Sequence, residues 1–81
     1  MTPILVGPIM PHRGYYAWPY TTPEGRLRRS RRYIDKRTAD RARGLQAEGQ
    51  LRAGLQVLVS EDEVSLAQLI ATHRIALPAS R

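Results

Sequence analysis

The stretch PEGRLRRSRRYIDKRTADRARGL, residues 23–45, decides the predicted fold of this chain of 81 residues and carries most of its charge. Nine of the thirteen Lys and Arg residues lie within it: Arg26, Arg28, Arg29, Arg31, Arg32, Lys36, Arg37, Arg41 and Arg43. Only three acids lie in the same stretch, so it holds a net charge of +6, which equals that of the whole chain. Such a concentration of cations indicates a phosphate-rich or acidic partner.

The same stretch is predicted to form a helix with basic residues on both sides of a narrow apolar seam. Thr22 can cap its start, Pro23 suits the first helical position, and Glu24 complements the positive end of the helix dipole. At helical spacing, five side chains lie on or near one bearing: Leu27, Ile34, Thr38, Ala42 and Leu45. Two glycines, Gly44 and Gly49, predict that this helix ends or bends between them.

Residues 1–22 are predicted to be an extended arm that is rich in proline and tyrosine. Five of the six prolines of the chain lie at or before Pro23, and each fixes φ and removes a backbone donor. Proline also disfavours the helical conformation of the residue before it. The apolar run Ile4-Leu5-Val6 fits either a short strand or an arm that lies on another surface.

The segment 51–59 fits either a helix or a strand. The spacing of Leu51, Leu55 and Leu58 is typical of a helix, whereas the β-branched run Val57-Leu58-Val59 is typical of a strand. We favour the helix here because the three leucines have the spacing of one helical face.

Ser60 and Glu63 form the S-x-x-E pattern of a capping box, which predicts that another helix starts here. The acidic run Glu61-Asp62-Glu63 complements the positive end of that helix. We expect the helix to continue to about His73 and to stop before Pro78. The last residues, from Leu77 to Arg81, are predicted to form a tail.

The predicted fold class is therefore mainly α, with a small domain of two or three helices over residues 23–81 behind the arm of residues 1–22. Ile, Leu and Val number eighteen, and Phe and Cys are absent, so the core is small and no disulfide supports it. Chains of this size often need further stabilisation. We expect this to come from a partner or from a homo-oligomer.

The four aromatic residues that precede the basic stretch are Tyr15, Tyr16, Trp18 and Tyr20. Aromatic rings stack on unpaired bases and hold arginine side chains, and they are common in protein interfaces. A chain without Phe also needs its other aromatic residues for the core. Packing is therefore favoured over stacking for this group, although both are retained as possible roles.

The sequence carries no recognisable catalytic or metal site. His12 and His73 are far apart and have no companion at the spacing of a metal site. No triad signature, nucleophile elbow or Gly-rich phosphate loop is present. We therefore expect a protein that is not an enzyme and has no cofactor.

No run approaches the roughly 18 apolar residues of a membrane span, so no membrane partner is expected. The absence of cysteine and of a targeting signal favours a cytoplasmic location.

These observations predict a small basic protein that binds the phosphate backbone of RNA or DNA. The nine cations of residues 26–43 are the candidate binding residues, and the four aromatic residues are candidates for packing or stacking beside them. The alternative is an inhibitor, adaptor or assembly subunit, of the kind that phages and mobile elements encode, which docks on an acidic protein surface. Twelve of the thirteen cations are arginine, whose planar fork suits either phosphate or carboxylate.

Overall fold

The computed structural model describes residues 2–73, which form two sheets and two helices. In chain order the elements are β1 (Ile4–Val6), β2 (Met10–His12), β3 (Tyr15–Ala17), β4 (Pro19–Thr21), β5 (Leu27–Arg29), α1 (Lys36–Arg52), β6 (Val57–Val59) and α2 (Glu63–His73). The larger sheet has the strand order β5-β4-β1-β6, and β2 and β3 form a separate hairpin. The fold is therefore mixed α/β, and the prediction of a mainly α fold is wrong.

Strand β1 lies at the centre of the larger sheet. It pairs antiparallel with β4 on one side and parallel with β6 on the other. All three of its side chains are fully buried. A strand that is covered on both faces is apolar at every position, as Ile4-Leu5-Val6 is. This part of the predicted extended arm thus lies in the middle of the core. Pro3 and Pro8 lie just outside the strand, where they interrupt no ladder.

The two helices cover opposite faces of this sheet, because successive side chains of a strand point to opposite sides. Leu5 packs against Leu66 and Ile70 of α2. Its neighbours Ile4 and Val6 pack in a second cluster with Trp18 and with Ala39 of α1. Each helix therefore depends on β1 for the centre of its contact surface.

The basic stretch is not one helix. Thr22 to Arg26 form a turn, in which the Gly25 amide donates to the Thr22 carbonyl at 2.8 Å and Gly25 has a φ of 86°. Pro23 suits the second position of such a turn as well as it suits a helix start. The chain then runs back as β5, which pairs antiparallel with β4. The strands before and after this turn therefore belong to one sheet.

Helix α1 begins at Lys36, and Asp35 caps it. The Asp35 carboxylate accepts hydrogen bonds from the amide of Thr38 at 2.8 Å and from its hydroxyl at 2.7 Å. These bonds lower the pKa of Asp35 below its ordinary value, and the bond from the Thr38 hydroxyl has the larger effect. The acid that marks this helix start lies more than ten positions after the predicted cap at Thr22.

The face of α1 that lies against the sheet consists of small and polar residues. Its residues recur at helical spacing and are Ala39, Ala42, Arg43, Gln46, Ala47 and Gln50. Ala39 is fully buried and lets the helix approach the sheet closely. Two members of the predicted seam, Ile34 and Leu45, are instead exposed, and Leu27 belongs to β5. Of the predicted seam, Ala42 alone therefore lies on the buried face.

Helix α1 also continues through both glycines that were predicted to end it. It ends at Arg52, and the next residue, Ala53, donates its amide to the Gly49 carbonyl at 3.1 Å. A Cβ added at Gly44 or Gly49 would meet no atom within 4 Å. The helix is long enough, and well enough anchored by its buried face, to include two residues that disfavour helix.

We predict that Gly44→Ala and Gly49→Ala each raise the free energy of unfolding, by about 0.5–1 kcal/mol, because alanine restricts the unfolded chain and fits the helix. Urea unfolding followed by circular dichroism measures the change. Gly7→Ala is the matched control, since its Cβ would lie 2.5 Å from Cγ of Pro19. That crowding is expected to destabilise the fold by about 1–3 kcal/mol. Equal effects at all three sites would contradict the packing described here.

Residues Val57–Val59 form strand β6, so the helix favoured for this segment is wrong. Helix α2 starts at Glu63, two residues later than a cap at Ser60 predicts, because a different residue caps it. Asp62 accepts a hydrogen bond from the Ser65 amide at 2.7 Å. Ser60 is buried, and its amide donates to the Val6 carbonyl at 2.8 Å. The predicted helix end beyond His73 and the tail lie outside the described residues.

Neither helix within residues 2–73 has the length and apolar character that are needed to cross a membrane.

Candidate nucleic-acid interface

The hairpin of β2 and β3 places a strained arginine at its tip. His12 and Tyr15 pair across the hairpin, so Arg13 and Gly14 form a two-residue turn. Their φ angles are 51° and 83°, which define a type I′ turn. Gly, Asn and Asp are the usual residues at such positions, and an arginine there costs about 1 kcal/mol. Strain of this kind is typical of residues that are retained for function.

Arginines from two other segments surround this hairpin. The guanidinium of Arg32 lies over the Tyr15 ring, 5.3 Å from its centre. Nη1 of Arg29, on β5, lies 3.1 Å from Nε2 of His12. These five residues, His12, Arg13, Tyr15, Arg29 and Arg32, are called the hairpin cluster below.

Backbone pairing brings the hairpin cluster together. The Tyr16 amide donates to the Tyr33 carbonyl at 2.7 Å, and the Tyr33 amide donates to the Tyr16 carbonyl at 2.9 Å. This bridge fixes the segment that carries Arg32 against β3. The cluster is thus built on regular backbone pairing, which holds its side chains in place.

The electrostatics of His12 report the density of positive charge in the cluster. The nearby guanidinium of Arg29 lowers the pKa of His12 below its ordinary value, and desolvation of the ring, Arg13 and Arg32 lower it further. Within residues 2–73, the only ion pair joins Arg52 to Glu48, at 3.3 Å. No carboxylate within ion-pair distance therefore neutralises the arginines of the cluster.

Arg43 has a structural role, unlike the other cations of the basic stretch. Its Nε donates to the Gly7 carbonyl at 2.6 Å, and its Nη2 donates to the Ser60 carbonyl at 2.6 Å. These carbonyls follow the ends of β1 and β6, so the half-buried Arg43 fastens α1 to two parallel strands. The remaining eight predicted binding cations are exposed: Arg26, Arg28, Arg29, Arg31, Arg32, Lys36, Arg37 and Arg41.

The four predicted aromatic residues occupy different environments. Trp18 is 3% exposed and stacks on Tyr33, with ring centres 5.7 Å apart and planes inclined by 13°. Tyr16 and Tyr20 are partly buried against the same core cluster. Tyr15 is 41% exposed and belongs to the hairpin cluster. Three of the four therefore pack in the core or at its margin, and Tyr15 alone lies at the surface with an arginine over its ring.

An open groove of about 480 Å³ lies between the sheet and α1. Its lining residues are Trp18, Tyr20, Ser30, Arg31, Tyr33, Ala42, Leu45 and Gln46. We call this the Trp18 groove. Trp18 is held in place by Ser30, whose hydroxyl accepts from the Trp18 amide at 3.0 Å and whose own amide donates to the Trp18 carbonyl at 2.9 Å.

A second pocket of about 390 Å³ lies beside the hairpin, with His12, Arg29 and Glu63 among its lining residues. Across residues 2–73, His, Asp and Glu side chains nowhere gather in threes to hold a metal ion. This pocket carries charges of both signs and shares His12 and Arg29 with the hairpin cluster, so it is not treated as a separate site.

Sequence reasoning did not single out Arg13, Tyr33 or Gln46. The turn at Arg13 had a usable signal, because Gly14 separates two short runs that can pair as a hairpin. Tyr33 and Gln46 had none, since their roles depend on contacts with Trp18 from distant parts of the chain.

No family model matches the sequence, and no curated protein or solved structure is significantly similar to it. The exposed side chains and their geometry are therefore what indicates a function.

Proposed function

We propose that this protein binds the phosphate backbone of nucleic acid, without catalysis, through the hairpin cluster and the exposed cations next to it. The observation that carries this proposal is the meeting of Arg13, Arg29 and Arg32 beside His12 and Tyr15, where no acid within residues 2–73 is close enough to pair with them. A polyanion would supply the missing counter-charge. Binding would also release the counterions that surround the nucleic acid, which is its main driving force.

The arrangement suits phosphate better than it suits a single carboxylate. The arginines project from the hairpin tip, from β5 and from the segment before α1, so they form a surface and not a single deep pocket. Successive phosphates of a backbone can each meet one guanidinium on such a surface. Lys36, Arg37 and Arg41 add further exposed charge along α1.

This proposal replaces the single Arg-rich helix expected from the sequence. The cations lie on a strand, on a loop and on the start of α1, so they do not form the continuous helical face that enters a major groove. Recognition of the backbone without direct reading of base pairs fits this distribution.

We predict binding to single-stranded oligonucleotides that weakens steeply with salt. Contacts from Arg13, Arg29, Arg31 and Arg32 would give a slope of about −3 in a plot of log K against log salt concentration. Arg13→Asn is expected to make the slope less steep by about 0.7, which is the contribution of one contact to a single strand. Fluorescence anisotropy across a salt series measures both values.

The same substitution should stabilise the fold, because asparagine adopts the left-handed conformation of a type I′ turn more readily than arginine does. Weaker binding together with a higher melting temperature cannot arise from partial unfolding. Arg52→Asn removes the same charge from the far end of α1 and is the matched control. Equal losses of binding in the two variants, or no binding at low salt, would contradict the proposal.

His12 provides an independent readout of the site. Because neighbouring guanidinium groups lower its pKa, a bound phosphate that offsets their charge should raise that pKa. Binding then takes up protons, so affinity should increase as the pH falls through the pKa of His12. Nuclear magnetic resonance titration of the imidazole, with and without oligonucleotide, measures the shift. An acidic protein that raises this pKa while oligonucleotides do not would favour the alternative of a protein partner.

A further inference from the structure

We infer that the Trp18 groove holds one unpaired base of a single-stranded nucleic acid whose backbone lies on the neighbouring arginines. This inference rests on the proposed function and adds to it a site for the base itself. The groove is separate from the hairpin cluster in its lining residues. The two surfaces are connected along the chain, because Arg31 of the groove is adjacent to Arg32 of the cluster.

The walls of the groove suit a flat aromatic ligand. Tyr20, Tyr33 and Leu45 line it, and Trp18 is stacked beneath on Tyr33. Its volume of about 480 Å³ falls within the range of sites that take small organic groups. Leu45 remains 60% exposed although it lines this apolar groove, so the fold itself leaves apolar surface here for a ligand to cover.

Gln46 gives the groove a defined hydrogen-bonding character. The indole nitrogen of Trp18 can only donate, so it fixes the carboxamide oxygen of Gln46 as its acceptor, at 2.6 Å. The carboxamide nitrogen of Gln46 is then the group left to bond a ligand. It donates only, and it therefore matches the carbonyl oxygens of uracil, thymine, cytosine or guanine.

Charge complementarity favours an anionic occupant, and the aromatic walls of the groove favour a nucleotide among anions. Arg31 lines the same groove and is exposed, so it can bind the phosphate attached to a base that lies against Leu45. A neutral peptide would leave this charge, and the arginines next to it, without partners. An apolar and aromatic groove with a cation beside it is the usual combination in proteins that bind single strands.

Trp18 makes the inference directly testable, because it is the only tryptophan of the chain and forms part of the groove. The test compares an oligouridine of about twelve nucleotides with an abasic backbone of the same length and charge. The oligouridine is expected to quench Trp18 emission and to bind roughly 5- to 150-fold more tightly than the abasic strand. The abasic strand should still bind, in a salt-dependent manner, and should leave the emission unchanged.

Two pairs of variants locate the effect. Leu45→Ala should reduce this preference for the strand with bases severalfold, whereas Leu51→Ala on the same helix, where the leucine is 56% exposed, should not. Gln46→Glu should reduce the preference as well, because it replaces the amide donor with an acceptor and retains an oxygen for Trp18. Gln50→Glu changes the net charge equally and lies one turn further along α1, outside the residues that line the groove.

The two proposals fail in different ways. Equal binding of oligouridine and abasic strand with no change in Trp18 emission would overturn the base site and leave backbone binding intact. Absence of binding by either strand at low salt would overturn both. Quenching that depends on protein concentration, without nucleic acid, would show that a second copy of the chain fills the groove and would also overturn the base site.

Discussion

Leu5→Ala is expected to lower the free energy of unfolding by about 2–5 kcal/mol, which is a large part of the stability of a domain of this size. Leu5 has no exposed surface and packs against Leu66 and Ile70 from the centre of the sheet. Its amide also donates to the hydroxyl of Thr21 at 2.8 Å, so its backbone is fixed on the β4 side. Alanine would leave a cavity between β1 and α2. Closing it would require β1 to shift, at the cost of its pairing with β4 and β6.

Urea unfolding of Leu5→Ala should be compared with that of Leu51→Ala, which removes the same atoms from an exposed position of α1. We expect the control to change the stability by less than about 0.5 kcal/mol. A similar small change for Leu5→Ala would mean that the N-terminal segment lies outside the core, as an arm would. A loss of all folded protein in Leu5→Ala would agree with the central position of β1, and Leu5→Val would then provide a measurable loss.

Arg43→Met is expected to destabilise the protein by about 2–4 kcal/mol, although arginine is usually a surface residue. The substitution keeps much of the aliphatic volume and removes both donors to the Gly7 and Ser60 carbonyls. Hydrogen bonds from a charged donor contribute about 1.5–3 kcal/mol each. Water can replace part of this at a half-buried site, so the expected total lies below the sum of the two bonds.

Arg41→Met is the matched control for Arg43→Met, because Arg41 lies on the same helix and is exposed. It should change the stability little and reduce the affinity for polyanions through the loss of charge. The stability of Arg43→Met should fall, while its folded fraction at low temperature should bind polyanions more tightly than Arg41→Met does, because the Arg43 guanidinium is engaged by two carbonyls. If Arg43→Met were as stable as Arg41→Met, the two carbonyl contacts would not hold α1 on the sheet.

The course of α1 could not be predicted from apolar spacing. Its buried face consists mainly of alanine, glutamine and one arginine; the Gln46 carboxamide oxygen accepts from Trp18, and Arg43 donates to the carbonyls that follow β1 and β6. Leu45 has the apolar character expected of a core position, yet it lines an open groove. The large apolar residues Ile34 and Leu45 therefore did not mark the buried side of this helix, because burial here depends on small size and on hydrogen bonding.

The strands were predictable only in part. The apolar run Ile4-Leu5-Val6 was compatible with a strand, but its central place in the sheet depends on pairing with Val57–Val59. A local pattern contains no information about such a distant partner. The start of α2 was predicted two residues too early: the acidic run Glu61-Asp62-Glu63 is a local signal for a helix start, but the cap is Asp62 and not Ser60.

The concentration of cations was visible in the sequence, but their grouping was not. The sequence places Arg13 outside the basic stretch, whereas the hairpin and the bridge at Tyr33 bring it together with Arg29 and Arg32. Arg43, which belonged to the same basic run, is removed from it by its contacts with two carbonyls. The sequence thus showed that the candidate surface is rich in arginine. Only the tertiary pairing showed which arginines belong to it.

The parallel pairing of β1 with β6 also sets the order in which the chain can fold during synthesis. Ile4–Val6 leave the ribosome long before their partners Val57–Val59 do. Until then, one edge of a fully apolar strand has no neighbour, and such edges promote association between nascent chains. Pro3 and Pro8 flank this strand and limit the length over which a foreign strand could pair with it. The prolines that suggested an irregular arm would thus protect the growing chain before its sheet is complete.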